Sequence, residues 1–387
     1  MRRDATGQYR ESPGGGEIVR AFIPDPLPPL PPLVMDGARQ SLLERATLAL
    51  GRLDSVALLL PDPQLFLYAY VRREAVLSSQ IEGTQSSLSD LLLFELDESP
   101  GVPFDDVVEV SNYVAALDHG MARLREGFPL CNRLLREMHA YLMARGRGSD
   151  KAPGEFRKTQ NWIGGTRPGN ARFVPPPPQD VEPCMAALER FIHGEAAGAE
   201  NLPVLLRAAL AHVQFETIHP FLDGNGRVGR LLIVFLLHEQ GVLQQPLLYL
   251  SLYFKQHRSR YYELLQSVRL HGDWEEWLAF FLEGVIAVAS SAVETARRLL
   301  ALSARHRQQV QGMGRGAASA LRLLDHLQRQ PVTTAPRATA ATGMSFNTAK
   351  SAFRALVGLG IVTAADERKY GKHYTYAACL ALLNDES

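Results

Sequence analysis

The chain has 387 residues, of which 46% are hydrophobic and 21% charged, and its 41 basic and 41 acidic side chains give a formal net charge of zero. This composition is ordinary for a globular protein and excludes a wholly disordered or a collagen-like chain. Because the net charge is zero, the composition gives no general electrostatic reason to expect binding to nucleic acid or to an anionic membrane. A local basic surface is still possible. The length predicts two or three domains of roughly 150 residues each.

The three cysteines, Cys131, Cys184 and Cys379, are far apart and form no CxxC or Cys/His cluster. A structural zinc site is therefore not expected, and the count suits a reducing cytoplasm. The polar, glycine-rich start of the chain has no apolar signal-peptide region. Charges interrupt the apolar stretches before the ~18 residues that a membrane span requires, so we expect a cytoplasmic protein with no transmembrane helix.

In chain order, residues 1–20 read as a mobile tail, and the proline-rich 22–33 is expected to be extended because proline fixes φ and removes a donor. From about Gly37 apolar residues recur at three- and four-residue spacing, which predicts helices. Further helices are predicted over 104–125, 129–145, 179–195, 203–216, 226–240 and about 256–305. We divide the chain into a tail (1–36), an N-terminal helical region (37–110), a helical core (111–305) and a C-terminal unit (306–387).

The segment 147–178 breaks the helical pattern with glycine, proline and asparagine. Its inner part, residues 161–174 (NWIGGTRPGNARFV), has two apolar stretches around a turn and predicts a short hairpin, which we call the flap.

The C-terminal unit follows a composition shift near 306–319 and reads as helix, turn, helix and two strands, the order of a winged helix-turn-helix. Residues 315–387 hold nine basic and five acidic side chains, a mild excess of four. Ser345–Thr348 would open the second helix, where a DNA reader places its base contacts, and Asp366–Lys372 would be the wing. A winged helix used for protein contacts or as an oligomer surface fits the sequence equally well.

The segment His219–Arg230 (HPFLDGNGRVGR) carries the clearest chemical pattern. Gly224, Asn225 and Gly226, which we call the anion cradle, stand at a predicted helix start, where backbone N–H groups and the helix dipole favour an anion. Two arginines three residues apart, Arg227 and Arg230, add guanidinium groups suited to a polyphosphate.

The flanks of the cradle supply the other parts of a phosphate chemistry. Asp223 could hold Mg²⁺, which usually binds one or two carboxylates plus substrate phosphates. His219 could act as a general base. Taken singly, a histidine before proline is more often structural and Gly-Asn-Gly more often a turn, but their combination within twelve residues is specific. The GxxxxGK[ST] pattern of a Walker loop is absent.

HPFLDGNGRVGR matches the Fic family signature, HPFx[DE]GNGRxxR, at every fixed position. GEFRKTQNWIGG with FVPPPP resembles the flap region of that family, and FETIHPF, YLSLYF, SRYYELL and GDWEEWLAFFL resemble its bacterial members. The resemblance covers about residues 22–290. It implies a mainly α fold, namely a Fic-type helical core with a small β-hairpin flap, followed here by the predicted C-terminal winged helix-turn-helix domain.

The resemblance implies transfer of AMP from ATP, with Mg²⁺, to a Tyr, Thr or Ser hydroxyl of a protein. His219 would take the hydroxyl proton and Asp223 would hold the metal. Positions that match nucleotide-binding positions of the family are Gln214, Gly224, Asn225, Gly226, Arg227, Arg230, Ser251, Tyr261 and Tyr262. The tyrosine pair reads equally well as helix core. Ala171, Arg172 and Phe173 would form an exposed strand that pairs with the target by β-augmentation, unless the hairpin simply covers the site.

Ser78-Ser79-Gln80-Ile81-Glu82-Gly83 fits the family's inhibitory motif, [ST]xxxE[GN], on the N-terminal side of the core. Ser78 and Glu82 are four residues apart and share one helix face. The resemblance implies that Glu82 pairs with Arg230 and occupies the γ-phosphate site. Taken alone, Glu82 would be an ordinary solvated side chain.

Three alternatives stay open at this stage. The same site could remove AMP from targets, with Glu82 assisting water, or transfer a different phosphate-containing group. The chain could also be a DNA-binding regulator whose helical domain senses a nucleotide without chemistry. A homodimer is plausible by resemblance alone.

Overall fold

A computed structural model describes residues 4–14, 16–59, 63–96, 102–365 and 372–384. Helices dominate the fold, and two small antiparallel sheets accompany them. The helices of the main body are α1 (Gly37–Leu59), α2 (Pro63–Ile81), α3 (Leu88–Phe94), α4 (Phe104–Arg125), α5 (Asn132–Leu142), α6 (Pro178–Ile192), α7 (Val204–Ile218), α8 (Asn225–Glu239), α9 (Ser251–Gln256), α10 (Arg258–His271) and α11 (Trp274–Gln311). The helices predicted between 104 and 305 are thereby confirmed in type and approximate extent.

Helices α7 and α8 form the centre of the main core. Leu205–Ile218 of α7 is buried throughout, and α8 is buried from Val228 to Leu237. A helix that is apolar on every side must be surrounded by other elements. Neighbours α4, α5, α6, α10 and α11 supply that cover, so the short loop between α7 and α8 is held at a fixed place.

Helix α11 bears on the expectation that the chain has no transmembrane helix. Trp274–Gln311 contains an 18-residue window that is long and apolar enough to cross a membrane by length and composition alone. In the fold, 61% of that window is buried inside the protein, where α11 packs along α1. This burial is what a core helix of a folded domain shows.

The start of the chain is ordered, contrary to the predicted mobile tail. β1 (Gly7–Gly14) and β2 (Glu17–Pro24) pair antiparallel, with Gly7 opposite Pro24 and Gly14 opposite Glu17. We call this pair the N-terminal hairpin. Its inner residues Ala21 and Phe22 are fully buried, so packing against the rest of the protein stabilises two strands that would be marginal alone.

The C-terminal unit contains α12 (Ala317–Arg329), β3 (Val332–Thr334), α13 (Ala335–Thr342), α14 (Phe346–Gly358), β4 (Thr363–Ala365), β5 (His373–Thr375) and α15 (Ala377–Asn384). The predicted second helix is confirmed as α14, which Ser345 caps by accepting a hydrogen bond from the Thr348 N–H at 3.2 Å. The threonine- and alanine-rich residues 332–342 fold as β3 and α13. Helix α13 begins after Thr334, which caps it by accepting a hydrogen bond from the Arg337 N–H.

The described strands of this unit form a sheet in the order β3-β5-β4. This arrangement agrees with a winged helix, which stays a prediction. Of the predicted wing, residues 366–371 lie outside the described residues.

The predicted boundary at 305/306 falls inside helix α11, which runs on to Gln311. A second apolar core joins the C-terminal unit to α2 and α3 through Ala69, Leu88 and Leu92. The composition shift near 306 therefore marks a change of core along one continuous helix. The four-part division of the chain stays a prediction.

Candidate active site

A cavity of about 360 Å³ opens between the α7–α8 loop, α10 and the flap. Twelve of the sequence-predicted residues line it: Glu82, Arg172, Phe173, His219, Asp223, Gly224, Asn225, Gly226, Arg227, Arg230, Tyr261 and Tyr262. Ser78, Ala171, Gln214 and Ser251 are not among its lining residues. The fold thus brings the whole His219–Arg230 motif together with the predicted inhibitory glutamate.

His219 ends helix α7 in the left-handed conformation, with φ 50° and ψ 61°. Arg157 holds this unusual backbone by donating from Nε to the His219 carbonyl oxygen at 2.9 Å. The ring is half-buried, and its Nδ1 is shielded from solvent without a hydrogen-bond partner in the described structure. Burial, followed by the nearby Arg157 and Arg269, lowers the pKa of His219 to about 3. The imidazole is therefore neutral at pH 7 and able to accept a proton.

The anion cradle is formed by the first turn of α8. Gly224 adopts φ 76°, which favours glycine, and the first hydrogen bond of the helix runs from the Val228 N–H to the Gly224 carbonyl at 3.1 Å. The N–H groups of residues 225–227 precede that bond and are left for a ligand. The Asn225 side chain faces inward, where its amide accepts from the Phe221 N–H and donates to the Phe221 carbonyl, both at 2.9 Å. Asn225 therefore shapes the loop with its side chain, while its backbone N–H stands in the first turn of α8.

The two arginines of the motif have different surroundings. Arg227 pairs with the buried Glu109 of α4, with 2.7 Å between Nη1 and Oε1. Arg230 is 3% exposed and donates from Nε to the Ser78 hydroxyl at 2.8 Å and from Nη2 to the Ser78 carbonyl at 2.9 Å. Both guanidinium groups are thus fixed in place at the cradle.

Glu82 lies just beyond the end of α2 and reaches the cradle. Its Oε1 accepts from Arg230 Nη2 at 2.7 Å. The same oxygen is only 2.2 Å from the place where a Cβ would stand on Gly226, so the carboxylate lies directly over the start of α8. A carboxylate oxygen at this point stands where an oxygen of an anionic ligand would bind.

Asp223 is the candidate metal ligand. Its Oδ1 accepts from the Gly224 N–H at 2.6 Å, and 45% of the side chain is exposed. No group of three or more His, Cys, Asp or Glu suited to a metal exists among the described residues. A single half-exposed carboxylate beside an anion cradle fits Mg²⁺, which completes its shell with phosphate oxygens and water.

For the tyrosine pair the sequence allowed two interpretations, a nucleotide-binding position and a helix core. Both rings line the cavity, but Tyr261 is 1% exposed and its hydroxyl lies 2.9 Å from Nε2 of the buried His212. Tyr262 is half-buried and has Arg258 over its ring at 5.7 Å. Tyr261 is therefore core and cavity wall at once, and Tyr262 is the more accessible of the two.

Gln214 and Ser251 do not line the cavity, and this corrects their predicted placement there. Gln214 donates from Nε2 to the Asp25 carbonyl at 2.8 Å, towards the segment that follows β2. Ser251 is fully buried and donates its hydroxyl to Glu74. Neither side chain points into the cavity, because each leaves its helix on another face.

The flap is joined by a single bridge between Ile163 and Phe173 and turns at Pro168–Asn170. Of the three predicted docking residues only Arg172 is exposed, whereas Ala171 is half-buried and Phe173 is 5% exposed. The prediction that residues 171–173 are exposed is therefore wrong for Phe173. Its ring packs between Phe22 and the Arg269 guanidinium, with 6.0 Å between the two ring centres and 4.0 Å from the guanidinium carbon to the Phe173 centre.

Several residues of the site had not been singled out in the sequence: Glu109, His139, Arg157, Glu216 and Arg269. All but Glu216, which stands three residues before His219, lie far from the motif in sequence, so only the fold brings them to it. Glu216 was the one most open to prediction, since it stands in FETIHPF, a stretch that resembles Fic proteins.

Comparison with known proteins gives a consistent result. Residues 40–122 match the Fic/DOC family N-terminal region and residues 129–237 the Fic/DOC family domain. The chain is 31% identical over 183 residues to the protein adenylyltransferase Fic of Drosophila grimshawi and 38% identical over 130 residues to that of Culex quinquefasciatus. These matches cover 47% and 34% of this chain but only 34% and 23% of those proteins. The chain thus spans about a third of the length of the first of these relatives.

Among the solved structures that resemble the fold are two Fic proteins. A Fic family protein from Desulfovibrio desulfuricans G20 aligns with a TM-score of 0.58 at 20% identity, over 90% of this chain and 98% of its own. Fic-1 (residues 134–508) from C. elegans aligns with a TM-score of 0.51 at 20% identity, over 68% of this chain and 73% of its own. At such identities the likeness concerns the fold.

Proposed function

We propose, on the premise that the chain belongs to the Fic/DOC family, that it is a protein adenylyltransferase held in check by Glu82. It would move AMP from ATP to a Tyr, Thr or Ser hydroxyl of a protein, itself included. The observation that carries the proposal is one cavity holding a neutral histidine beside an anion cradle with two fixed arginines. The relatives named protein adenylyltransferase Fic support the same activity.

The proposed reaction uses these residues in distinct roles. The acceptor oxygen forms a bond to the α-phosphorus, the bond from that phosphorus to the bridging oxygen breaks, and pyrophosphate leaves. His219 takes the hydroxyl proton. Gly224, Gly226, Arg227 and the backbone of Asn225 hold the α- and β-phosphates, and Arg230 meets the γ-phosphate. Fixed donors aimed at developing negative charge lower such a barrier without reorganising during the step.

Asp223 would hold Mg²⁺ together with phosphate oxygens of the nucleotide. The ion would supply charge neutralisation at the phosphates. The half-exposed carboxylate at the cavity wall supports this role, since it leaves most of the metal shell to the substrate and water.

The brake follows from competition for one guanidinium. Ser78 and Glu82 satisfy three donor contacts of Arg230, and Glu82 also covers the start of α8. A γ-phosphate and this carboxylate cannot share that space, because like charges so close repel and the oxygens overlap. Activation therefore requires the Glu82 carboxylate to leave.

The proposed activity is tested by intact-mass spectrometry of the wild-type, Glu82→Gly and His219→Ala proteins after incubation with ATP and Mg²⁺. We expect an AMP adduct that is stronger on Glu82→Gly than on the wild type. Loss of the general base in His219→Ala should slow the transfer by about 10²–10⁴-fold. Equal transfer by the wild type and Glu82→Gly would contradict the brake.

The absence of any adduct on the three proteins would contradict self-transfer and direct attention to AMP removal. In that case the proteins would be incubated with an AMP-modified protein as substrate. Release of AMP by the wild type but not by Glu82→Gly would assign the site to removal instead of transfer.

We propose as a second function that the C-terminal unit contacts duplex DNA. Residues 326–365 contain no Asp or Glu but four basic side chains, Arg329, Arg337, Lys350 and Arg354, in a chain with no net charge. Asn347, Lys350, Ser351 and Arg354 are exposed at the spacing of one face of α14, opposite the buried Ala349, Ala352 and Phe353. A helix face that is basic, polar and free of acids suits phosphate and base contacts.

Cytoplasmic location and a homodimer stay proposals. The three cysteines are free thiols, which supports a reducing compartment. The family resemblance supports the dimer.

A further inference from the structure

The N-terminal hairpin lies directly against the flap. The Phe22 N–H donates to the Val174 carbonyl at 2.9 Å, at the base of the flap. At the flap turn, Glu17 Oε1 accepts from the Gly169 N–H at 2.9 Å, and its Oε2 pairs with Arg167. β2 therefore holds the flap at two points about five residues apart along the strand.

These contacts occupy the outer edge of the flap. Phe173 directs its N–H and carbonyl to Ile163 on the first arm, with N–O distances of 3.1 and 2.8 Å. Because successive residues of a strand point their backbone groups to opposite sides, Val174 faces away from the first arm and towards β2. The edge that the sequence assigned to target docking, residues 171–173, is thus bordered by the chain's own β2.

The hydrogen bonds of the flap turn are mostly local. Gly164 and Gly165 stand at φ 69° and 76°, so the turn is built from residues with much conformational freedom in the unfolded chain. Besides the Ile163–Phe173 bridge, the Asn170 side chain accepts from the N–H groups of Thr166 and Arg167 at 2.9 and 3.0 Å, and the Arg172 N–H donates to the Ile163 carbonyl at 3.0 Å. Because these bonds lie within the turn, they do not attach it to the rest of the protein, and its position depends on what packs against it.

The hairpin also reaches the cavity wall through a row of stacked groups. Tyr9 lies against Phe22 with 5.2 Å between ring centres, and Phe22 lies against Phe173. Behind Phe173 stands Arg269, a buried cavity residue whose carbonyl accepts from the Thr6 N–H at 3.2 Å. The hairpin thereby connects the flap to α10 behind two residues of the cavity wall, Phe173 and Arg269.

We propose that the N-terminal hairpin is a clamp that fixes the flap over the cavity, with Glu17 as its positioning residue. The inference rests on the proposed transfer, because the fixed flap would hold the acceptor segment so that its hydroxyl meets His219. The acceptor is an extended peptide segment that pairs with the inner, cavity-side arm at residues 162–164, since the outer edge is bordered by β2. Misplacing an acceptor by about 1 Å can cost roughly 10²-fold in rate, so a loose flap would slow transfer without affecting the nucleotide.

The clamp is tested first by amide hydrogen exchange, which needs no activity. In Glu17→Ala we expect the amides of Ile163 and Phe173 to exchange about tenfold faster, as loss of a hydrogen bond to a charged group implies. Glu11→Ala is the matched control, an exposed carboxylate on β1 that faces Arg20 in the strand register. Unchanged exchange in Glu17→Ala would overturn the clamp.

The second test measures transfer in the Glu82→Gly background, with the His219→Ala protein as acceptor in trans. Glu17→Ala should raise KM for this acceptor several-fold and leave the affinity for ATP, measured by calorimetry, unchanged. Glu17→Gln keeps the acceptor for the Gly169 N–H and should recover part of the loss. Equal KM in Glu17→Ala and Glu11→Ala would overturn the positioning role.

The two proposals fail separately. If none of the proteins transfers AMP, self-transfer is contradicted, while the exchange rates still decide whether the hairpin holds the flap. If transfer occurs but exchange is unchanged, the clamp alone is wrong.

Discussion

His139 connects the two segments that enclose the cradle. Its ring stacks on Phe221 with 3.8 Å between centres and an angle of 6°. Nδ1 accepts from the Gly154 N–H at 2.8 Å, so Nε2 carries the proton and donates to the Asp223 carbonyl at 3.1 Å. This neutral tautomer is therefore required by the partners on both sides.

The pH dependence of stability should reveal this role. Burial lowers the pKa of His139 to about 4, below the ~6.5 of a histidine in the unfolded chain. The unfolded state then binds the proton first as pH falls, so the stability is complete above pH ~6.5 and is lost towards pH 4. We expect His139→Gln, which does not titrate, to lose roughly 1 kcal/mol less per pH unit over this range.

Urea unfolding of both proteins at several pH values checks the difference. The glutamine amide can keep one donor and one acceptor, so the variant separates titration from hydrogen bonding. Parallel stability curves for the two proteins would show that His139 does not titrate on unfolding.

At this scale the sequence predicted what depends on local spacing. The Gly-Asn-Gly turn at a helix start and the approach of Ser78 and Glu82 to one guanidinium follow from separations of three or four residues. The roles of Glu109 and His139 could not be predicted this way, because α4 and α5 reach the motif only through packing. Asn225 shows the limit within the motif itself, since its side chain binds the loop backbone.

At the scale of elements, the exposed face of α14 allows a direct test of DNA contact. Lys350 and Arg354 are one helical turn apart and exposed. The double variant Lys350→Ala/Arg354→Ala should weaken binding to a mixed-sequence duplex of about 30 base pairs. It should also reduce the slope of log affinity against log salt by about 2, close to one for each lost phosphate contact.

Fluorescence anisotropy at several salt concentrations measures both quantities. Arg322→Ala is the matched control, an exposed arginine on α12, outside the acid-free stretch. The same affinity and salt slope for the double variant and the control would contradict DNA contact through α14.

The N-terminal hairpin shows why some elements escape prediction. Its strands carry charged, glycine and proline residues, so the alternation of apolar and polar residues is weak. The strand pair takes its stability from the flap and from α10, which lie more than 100 residues away in sequence. The long helices were predictable because their apolar spacing repeats over many turns.

At the scale of the whole molecule, two apolar cores share helix α2 and its neighbour α3. Ala69, Leu88 and Leu92 pack with the C-terminal unit, while Leu67, Tyr70 and Val71 belong to the main core. Separating the two cores would expose apolar surface on both sides. Each Å² exposed would cost roughly 25 cal/mol of free energy.

Unfolding should therefore be a single cooperative transition. Of the three tryptophans, Trp274 and Trp277 are buried in the main core and Trp162 is exposed on the flap, so the change in buried fluorescence reports on the main core, whereas circular dichroism reports on all helices. We expect both signals to change at the same urea concentration. A helical signal that persists after the fluorescence change would show that the C-terminal unit unfolds separately.

The packing of the C-terminal unit on α2 has a thermodynamic consequence. The helix that the unit contacts at Ala69 leads, about 20 Å further along, to the carboxylate that lies on the cradle. If the cradle binds nucleotide as proposed, a ligand of the C-terminal unit that favours one position of α2, and with it of Glu82, changes the affinity for nucleotide. By linkage, nucleotide then changes the affinity of the unit for that ligand by the same factor. The occupancy of each site would therefore depend on the ligand concentration at the other.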